Sequence, residues 1–514
     1  MRSFVPAIFA LAAAAVGLYS ARESSPAGSI TTTASTADIA VSADAKAVTR
    51  AVAALQVIRT APQHGLKAGN YHEATLEAAL DRSRQSDRVG PDRAQQLTDL
   101  VTETNRALLA FGRDVAIGRV SSRRVDPNWE SRRIAPDLKH SLDQFETRSL
   151  EAWIASVQPH HPEYAALQRA LRQLRDQQER GGWPRVPVRL MKPGVSNPAV
   201  TVLRHRLAAS GETPDAEIAN PAVYDKRLEA AVQRFQDHHG LKATGIADVA
   251  TIAAMNVPLT DRIRQVELNL ERWRWMPDDF GARHFLVNIP AFQLMAREDG
   301  HTVRTMRVVV GKPGHETPVF SGDMGTVVFS PYWNVPESIA ENETAPAIRS
   351  DPTYLARNHI ELVRHTKAGS RIVNPDDVNW FDPDDFKDLS FRQRPGAQNA
   401  LGHVKFLFPN AFNVYLHDTP AGSLFARTER AFSHGCVRVE QAETLAAYIL
   451  RDQSEWTSEH IKSAMNAGVE KYVQLDEMIP IHIVYFTAWV GEDGDVFFLP
   501  DVYGYDAKQA RLTK

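Results

Sequence analysis

The sequence predicts an α+β chain of several domains, helical over its first half and mostly β in its last part. Three observations lead there. At 514 residues the chain exceeds one ordinary domain. Between about Ala45 and Arg180 apolar residues recur at helical spacing, as in Leu142, Phe145, Leu150, Trp153, Ile154 and Val157. From Phe285 onward the pattern turns to short β-rich runs separated by turn residues such as Asp299-Gly300.

Taken in order, the first residues read as an export signal. Arg2 supplies a positive start, Phe4 to Leu18 an apolar core, and Ser20 to Ser25 a small, polar exit. The apolar run is shorter than the ~20 residues of a spanning helix. Residues 1–25 are therefore expected to be a signal peptide or a single N-terminal membrane anchor. Residues 26–44, rich in small and hydroxyl side chains, form a linker. A helical domain over 45–183 follows, with Leu167, Leu171 and Leu174 on one stripe and its histidines, including His160 and His161, expected at the surface.

Pro184, Pro187 and Pro193 mark a boundary. The unit at 190–257 is small and helical, with stripes at Val200, Leu203 and Leu207, then at Leu228, Ala231, Val232 and Phe235. Gly240 suits the left-handed position after the second helix. Another helix is expected from Thr260 to Trp275. Strands are expected at Phe285–Ile289, Phe292–Ala296, Val303–Val310, Val327–Phe329, Val404–Phe408, Phe412–Leu416, Ile481–Val490 and Asp495–Leu499, within a domain spanning 283–506. Residues 345–400, rich in Pro, Asp and Asn, read as an inserted cap or lid rather than core. The acidic run at Asn374 to Asp377 lacks the glycine and terminal glutamate of an EF-hand loop.

Charge excludes one class of partner. Net charge is −3, from 59 basic and 62 acidic residues, without a long basic run, so no nucleic-acid partner is expected. Cysteine usage points the other way, toward chemistry. Exported proteins pair their cysteines, yet this chain has one, Cys436. It lies in Ser433-His434-Gly435-Cys436-Val437-Arg438. A thiol attacks as thiolate and needs a base or cation beside it. Glycine next to it lets backbone approach a carbonyl, and the N–H groups of Gly435 and Cys436 are candidate oxyanion donors. Two bases are available: His417, nineteen positions upstream at the end of an expected strand, and His434. Spacing alone does not choose between them.

His417 followed by Ser433-His434-Gly435-Cys436-Val437-Arg438 resembles the signature of the L,D-transpeptidases, the YkuD-type catalytic domain. Val310-Gly311-Lys312-Pro313, Tyr332-Trp333-Asn334-Val335-Pro336 and Asn399-Ala400-Leu401-Gly402 support the resemblance. The chain is similar to the large periplasmic branch, with a scaffold domain, a peptidoglycan-binding domain at 190–257 and a capped, mostly-β catalytic domain.

The resemblance implies Cys436 as nucleophile and His417 as general acid and base, the latter held by the carbonyl of the next residue, here Asp418. Many members carry glycine or serine at that position, which leaves open whether the Asp418 side chain also orients the ring. Ser433 falls within the matched motif, and His434 and Gly435 match positions lining the substrate and oxyanion site. Arg438 matches a position that meets a substrate carboxylate, with a surface ion pair as the plainer reading.

The implied reaction is 3→3 cross-linking of peptidoglycan stems through a cysteine thioester, without metal or organic cofactor. Its alternatives are trimming of tetrapeptide stems as an L,D-carboxypeptidase, or wall binding without catalysis. Carbapenems are the implied trapping electrophiles. The partners are stem peptides, wall polymer and other wall-synthesis proteins, and the implied location is the periplasm or cell envelope. Zinc and serine mechanisms lack their motifs here: His-Glu-x-x-His and Cys-x-x-Cys are absent, and no convincing Gly-x-Ser-x-Gly or Ser-x-x-Lys set is present.

Overall fold

The computed structural model describes residues 36–513 apart from 86–88, 146–148, 213–218, 368, 381, 383–384 and 386–387. The expected export signal lies outside the described residues. Among them, no helix is long and apolar enough to cross a membrane.

The first helices, Thr36–Ile58, Glu73–Arg84, Pro91–Ile117 and Leu150–Val157, pack around Leu55, Leu76, Leu100, Phe111 and Trp153. Gly112 allows this contact, since a Cβ there would stand 2.4 Å from the Trp153 ring. Helix Pro162–Glu179 leaves that core and packs on helix Leu259–Trp273 through Tyr164, Leu167 and Leu171. The same cluster takes in Leu286, Met295, Val484 and Phe486, fastening the helical region to the outer face of the β domain. His161 is buried here rather than at the surface: its Nε2 lies 2.7 Å from the Pro277 carbonyl and its ring against Trp273 and Phe280. Periodicity marked the stripe, but only packing showed that this histidine fills a gap between domains.

The unit between these regions has its own core of Val200, Leu203, Leu207, Leu228, Val232 and Phe235. Its helices start at side-chain caps, with Asn197 accepting from the Ala199 N–H, Asp225 from Leu228 and Asp248 from Thr251. Gly240 has φ of 64°, as its place after the helix requires.

The β domain comprises β1 (Arg283–Asn288), β2 (Gln293–Glu298), β3 (His301–Gly311), β4 (Phe320–Phe329), β5 (Trp333–Asn334), β6 (Ile360–Thr366), β7 (Gly369–Val373), β8 (Leu389–Gln393), β9 (Val404–Leu407), β10 (Leu416–His417), β11 (Ala431–Ser433), β12 (Val437–Val439), β13 (Lys471–Val484), β14 (Ala488–Val490) and β15 (Val496–Phe498). The main sheet runs β11-β3-β12-β10-β9-β4-β13-β1-β2, and pairing of β2 with β3 closes it into a barrel. Alternate residues, among them Val308, Val310, Val327, Phe329, Val404, Phe406, Ile481 and Ile483, fill its interior core.

Three expectations change. Of the segment Phe412–Leu416 only Leu416 is strand; Asn413 has φ of 54°, and the Asn410 side chain takes the N–H groups of Phe412 and Val414. Ile481–Val490 divides after Val484, because Asn288 and Asn269 side chains accept the N–H groups of Phe486 and Thr487. The expected cap forms a second sheet, ordered β5-β8-β6-β7, beginning earlier at Trp333. It also has a small core of Ile348, Leu355, Leu362 and Phe391, where the sequence reading expected none. A final helix, Tyr505–Leu512, packs on the barrel and carried no strong periodic signal.

Phe235 is fully buried at the centre of the 190–257 unit. Phe235→Ala should cost about 3–5 kcal/mol, enough to open a unit of that size. Limited proteolysis should then cut within 190–257 while the β domain stays intact.

Candidate active site

β10 lies between β9 and β12, pairing Leu416 with Phe406 and Val437, and His417 with Lys405 and Arg438. This places His417 in the sheet interior, 4% exposed, rather than at a rim. Its Nδ1 lies 2.5 Å from the Asp418 carbonyl oxygen. A proton on Nδ1 donates there and leaves Nε2 as the acceptor. Burial, with Arg438 and Lys405 adding repulsion, pushes this imidazole down to about 3. The ring is therefore neutral at neutral pH.

The Asp418 side chain is engaged elsewhere. Its Oδ2 accepts the His403 N–H at 2.9 Å. Gly402, at φ 61°, makes room for it, since a Cβ would stand 2.3 Å from that oxygen. The backbone of Asp418 orients the ring, while its carboxylate pins the chain entering β9.

Cys436 sits on the turn between β11 and β12. Gly435 adopts φ of 112°, open to glycine at little cost. Ser433 Oγ donates to the Cys436 carbonyl at 2.5 Å and accepts the Gly435 N–H at 3.1 Å. The Gly435 N–H is thus committed within the turn, which corrects its expected oxyanion role and leaves the Cys436 N–H as the donor of that pair. The Gly435 carbonyl accepts from Thr317 Oγ1 at 2.7 Å, and the same hydroxyl accepts the Gly311 N–H at 2.8 Å. Tyr503 completes the tie: its hydroxyl donates to the Gly311 carbonyl at 2.7 Å and accepts the Thr317 N–H at 3.2 Å.

The sulfur is half-buried, 3.9 Å from the Asn413 carbonyl. Burial pushes the thiol up, opposed by the backbone N–H and phenol of Tyr415 and by Arg438. At neutral pH the sulfur keeps its proton. Arg438, half-buried beside it, makes no ion pair among the described residues, and its Nε has no hydrogen-bond partner. That excludes the surface ion pair and leaves a cation facing the thiol.

His434 turns away to a different set of groups. Its Nε2 is 2.8 Å from Glu343 Oε1 and 3.4 Å from Lys312 Nζ, and its ring is 4.9 Å from that of His315. Glu343 lies on the turn Ala340–Thr344 of the cap, so cap and catalytic loop meet at this pair. Thr317, Tyr415, Tyr503 and Glu343 escaped the sequence reading because none lies in the motif. The Gly311-Lys312-Pro313 stretch was the one signal near them. Among the described residues no group of three or more His, Cys, Asp or Glu could hold a metal ion.

Residues 282–462 match the family profile of the L,D-transpeptidase catalytic domain, YkuD. Residues 42–171 match the scaffold domain, and 196–255 the "Putative peptidoglycan binding domain". A protein of Haemophilus influenzae named "Putative L,D-transpeptidase" is 32% identical over 251 residues, 49% of this chain and 50% of that protein. The chain thus spans about half the length of this curated relative. Among solved structures, an L,D-transpeptidase from Mycobacterium smegmatis aligns at 14% identity over 40% of this chain and 58% of its own, with TM-score 0.21. One from Stackebrandtia nassauensis aligns at 14% identity over 59% and 96%, with TM-score 0.22.

Three outcomes follow from this geometry. Thr317→Val removes a buried donor and acceptor, and should cost about 1–3 kcal/mol while slowing alkylation of Cys436; thermal melts and iodoacetamide kinetics would measure both. With the thiol raised, the alkylation rate should go on rising past about pH 8.5, the free-thiol value. A plateau below pH 7 would instead reveal a preformed thiolate. Because His417 is depressed from 6.5 to about 3, the folded state binds fewer protons than the unfolded one. Its stabilising contribution is complete above pH 6.5 and is lost as pH falls toward 3, a slope that His417→Gln should flatten in acid-unfolding curves.

Proposed function

We propose that this chain, whose 282–462 segment is a YkuD-type L,D-transpeptidase catalytic domain, forms 3→3 cross-links between peptidoglycan stem peptides through a thioester on Cys436. The observation that carries the reading is a neutral pair: a half-buried thiol on the turn that leads into β12, and an imidazole held by the Asp418 carbonyl on β10, the strand paired with β12.

In the first half-reaction the sulfur attacks the carbonyl of the third residue of a donor tetrapeptide, and its proton passes to His417 Nε2. The developing oxyanion takes the Cys436 N–H. The amide C–N bond breaks, and D-alanine leaves with the proton from His417. In the second half, His417 takes a proton from the amine of an acceptor stem as that amine attacks the thioester. The thiolate departs and regains the proton. Arg438, which makes no ion pair among the described residues, holds a stem carboxylate near the sulfur. The 190–257 unit keeps the polymer close, raising the effective concentration of stems. The N-terminal export signal would deliver the domain to the periplasm, where these stems are.

Water in place of the amine gives the L,D-carboxypeptidase reaction through the same thioester. Incubation with purified disaccharide-tetrapeptides should yield cross-linked dimers by mass; tripeptide monomers alone would convert the assignment to trimming. Cys436→Ala should abolish both products in a folded protein. His417→Ala should lower turnover by about 10²–10⁴-fold. A carbapenem should add one drug mass, mapped to the Ser433–Arg438 peptide, and an adduct persisting in Cys436→Ala would sink the cysteine mechanism.

A further inference from the structure

Away from Cys436, a cavity of about 450 Å³ opens where three parts of the molecule meet. Its walls come from the end of the scaffold helices (Leu174, Trp183), the 190–257 unit (Arg206, His239), helix Leu259–Trp273 (Arg262) and the β14–β15 hairpin (Phe498). The volume falls within the range of small-molecule sites.

Two buried cations lie in this wall. Arg206 is 1% exposed and Arg262 is 7% exposed. Each has a structural task at the last carbonyls of helix Val249–Met255: Arg206 Nε donates to Met255 O at 2.9 Å, and Arg262 Nη2 to Ala254 O at 3.2 Å. Arg262 Nη1 also donates to Gln265 Oε1 at 2.9 Å. These bonds leave Arg206 Nη1 and Arg262 Nε buried without a hydrogen-bond partner. Neither guanidinium forms an ion pair among the described residues.

The carboxylates at the cavity do not fill that gap. Glu212 Oε1 lies 3.1 Å from His238 Nδ1, and Asp495 Oδ2 lies 3.4 Å from His238 Nε2. Against the cost of burial, these acids raise His238, and both are turned to its ring. His239 is buried and held neutral by desolvation and by Arg262. Burial and the neighbouring Arg262 push Arg206 down to about 9 against the opposing pull of Glu212, and burial pushes Arg262 down to about 10 against that of Asp261. Both remain charged at neutral pH, and each would gain from a buried anion.

The surroundings specify what kind. Arg206 stacks 3.8 Å above the Trp183 ring and Arg262 lies 4.8 Å from that of Phe498. A guanidinium held against an aromatic face keeps its N–H groups for planar acceptors such as a carboxylate. Leu174, Trp183 and Phe498 add apolar wall, suited to a carbon skeleton behind the charge. We propose that this cavity binds an organic carboxylate, such as the C-terminus of a short peptide, between Arg206 and Arg262. Seated there, the ligand would touch the 190–257 unit, the scaffold helices and the β14–β15 hairpin together, locking their relative arrangement. Only the choice of a D-amino acid as probe rests on the wall-peptide reading above.

The test uses the full chain carrying Cys436→Ala, so that no turnover intrudes. Calorimetric titration with N-acetyl-D-alanine should show binding, and the matching amide should bind at least about tenfold more weakly, having lost the charge-assisted bonds. Arg262→Met should weaken the acid by a similar factor while circular dichroism stays unchanged. Should Arg206→Met not fold, Arg206→Lys supplies the second variant, keeping charge but losing the fork. Equal binding of acid and amide in the unaltered cavity would overturn the proposal, as would inorganic phosphate binding as tightly as the acid. Binding lost in Arg438→Met and kept in Arg262→Met would place the carboxylate in the catalytic cleft, and equally overturn it. Failure of the cross-linking reaction would leave this result untouched, because the titration is blind to turnover.

Discussion

The hydroxyl of Thr317 is the point on which the catalytic loop depends. It is fully buried, and it bonds at once to the carbonyl of Gly435 and the N–H of Gly311. Tyr503 adds a second tie to Gly311, and its own N–H donates to Tyr485, whose hydroxyl in turn donates to Asp501. One network therefore joins the end of β3, the turn before Cys436 and the C-terminal segment. Gly311 has to be glycine for this, since a Cβ there would stand 2.1 Å from the His315 carbonyl. Buried groups satisfied in this way stiffen a loop, whereas one missing partner would leave several polar atoms stranded.

Electrostatics in the cleft are governed by burial more than by charge pairing. Desolvation lowers His417 and raises Cys436, so the resting state carries the proton on sulfur and none on Nε2. A thiolate–imidazolium pair would need two charges in a site that disfavours both. Arg438 opposes that burial, its charge favouring the ionised form of the Cys436 sulfur. Its Nε is buried without a hydrogen-bond partner among the described residues, which costs free energy.

The cap and the helical regions act on this centre from outside. The cap has its own sheet and core, and it touches the motif through Glu343 and His434. Helix Leu259–Trp273 is the beam between scaffold and barrel. Arg272 on it reaches Asp506 at 2.6 Å, and Glu271 accepts the N–H groups of Arg119 at 2.5 Å and Val120 at 2.9 Å. Such buried ionic contacts specify arrangement more than they add net stability. Gln265, about two turns earlier, donates to the carbonyls of Thr487 and Leu499, which hold the β14–β15 hairpin against the same helix.

By itself the sequence determined the class of the fold and singled out the candidate reacting groups. Apolar periods of 3.6 and 2 are local properties, so the helical half, the small unit with its stripe at Leu228 to Phe235 and the strand-rich half were all legible. So were Cys436 and His417, because a lone cysteine inside a specific motif carries its chemistry in its neighbours. Tertiary structure decided what depends on distant chain. It closed the barrel through the β2–β3 pairing and broke the expected strand at Asn413. It gave the Asp418 carboxylate to His403, committed the Gly435 N–H to Ser433, and brought Thr317, Tyr503 and Glu343 to the site. A hydrogen bond between residues more than a hundred positions apart, as between Thr317 and Gly435, leaves no period or spacing in the chain. Only the packing that excludes water around it makes that bond necessary.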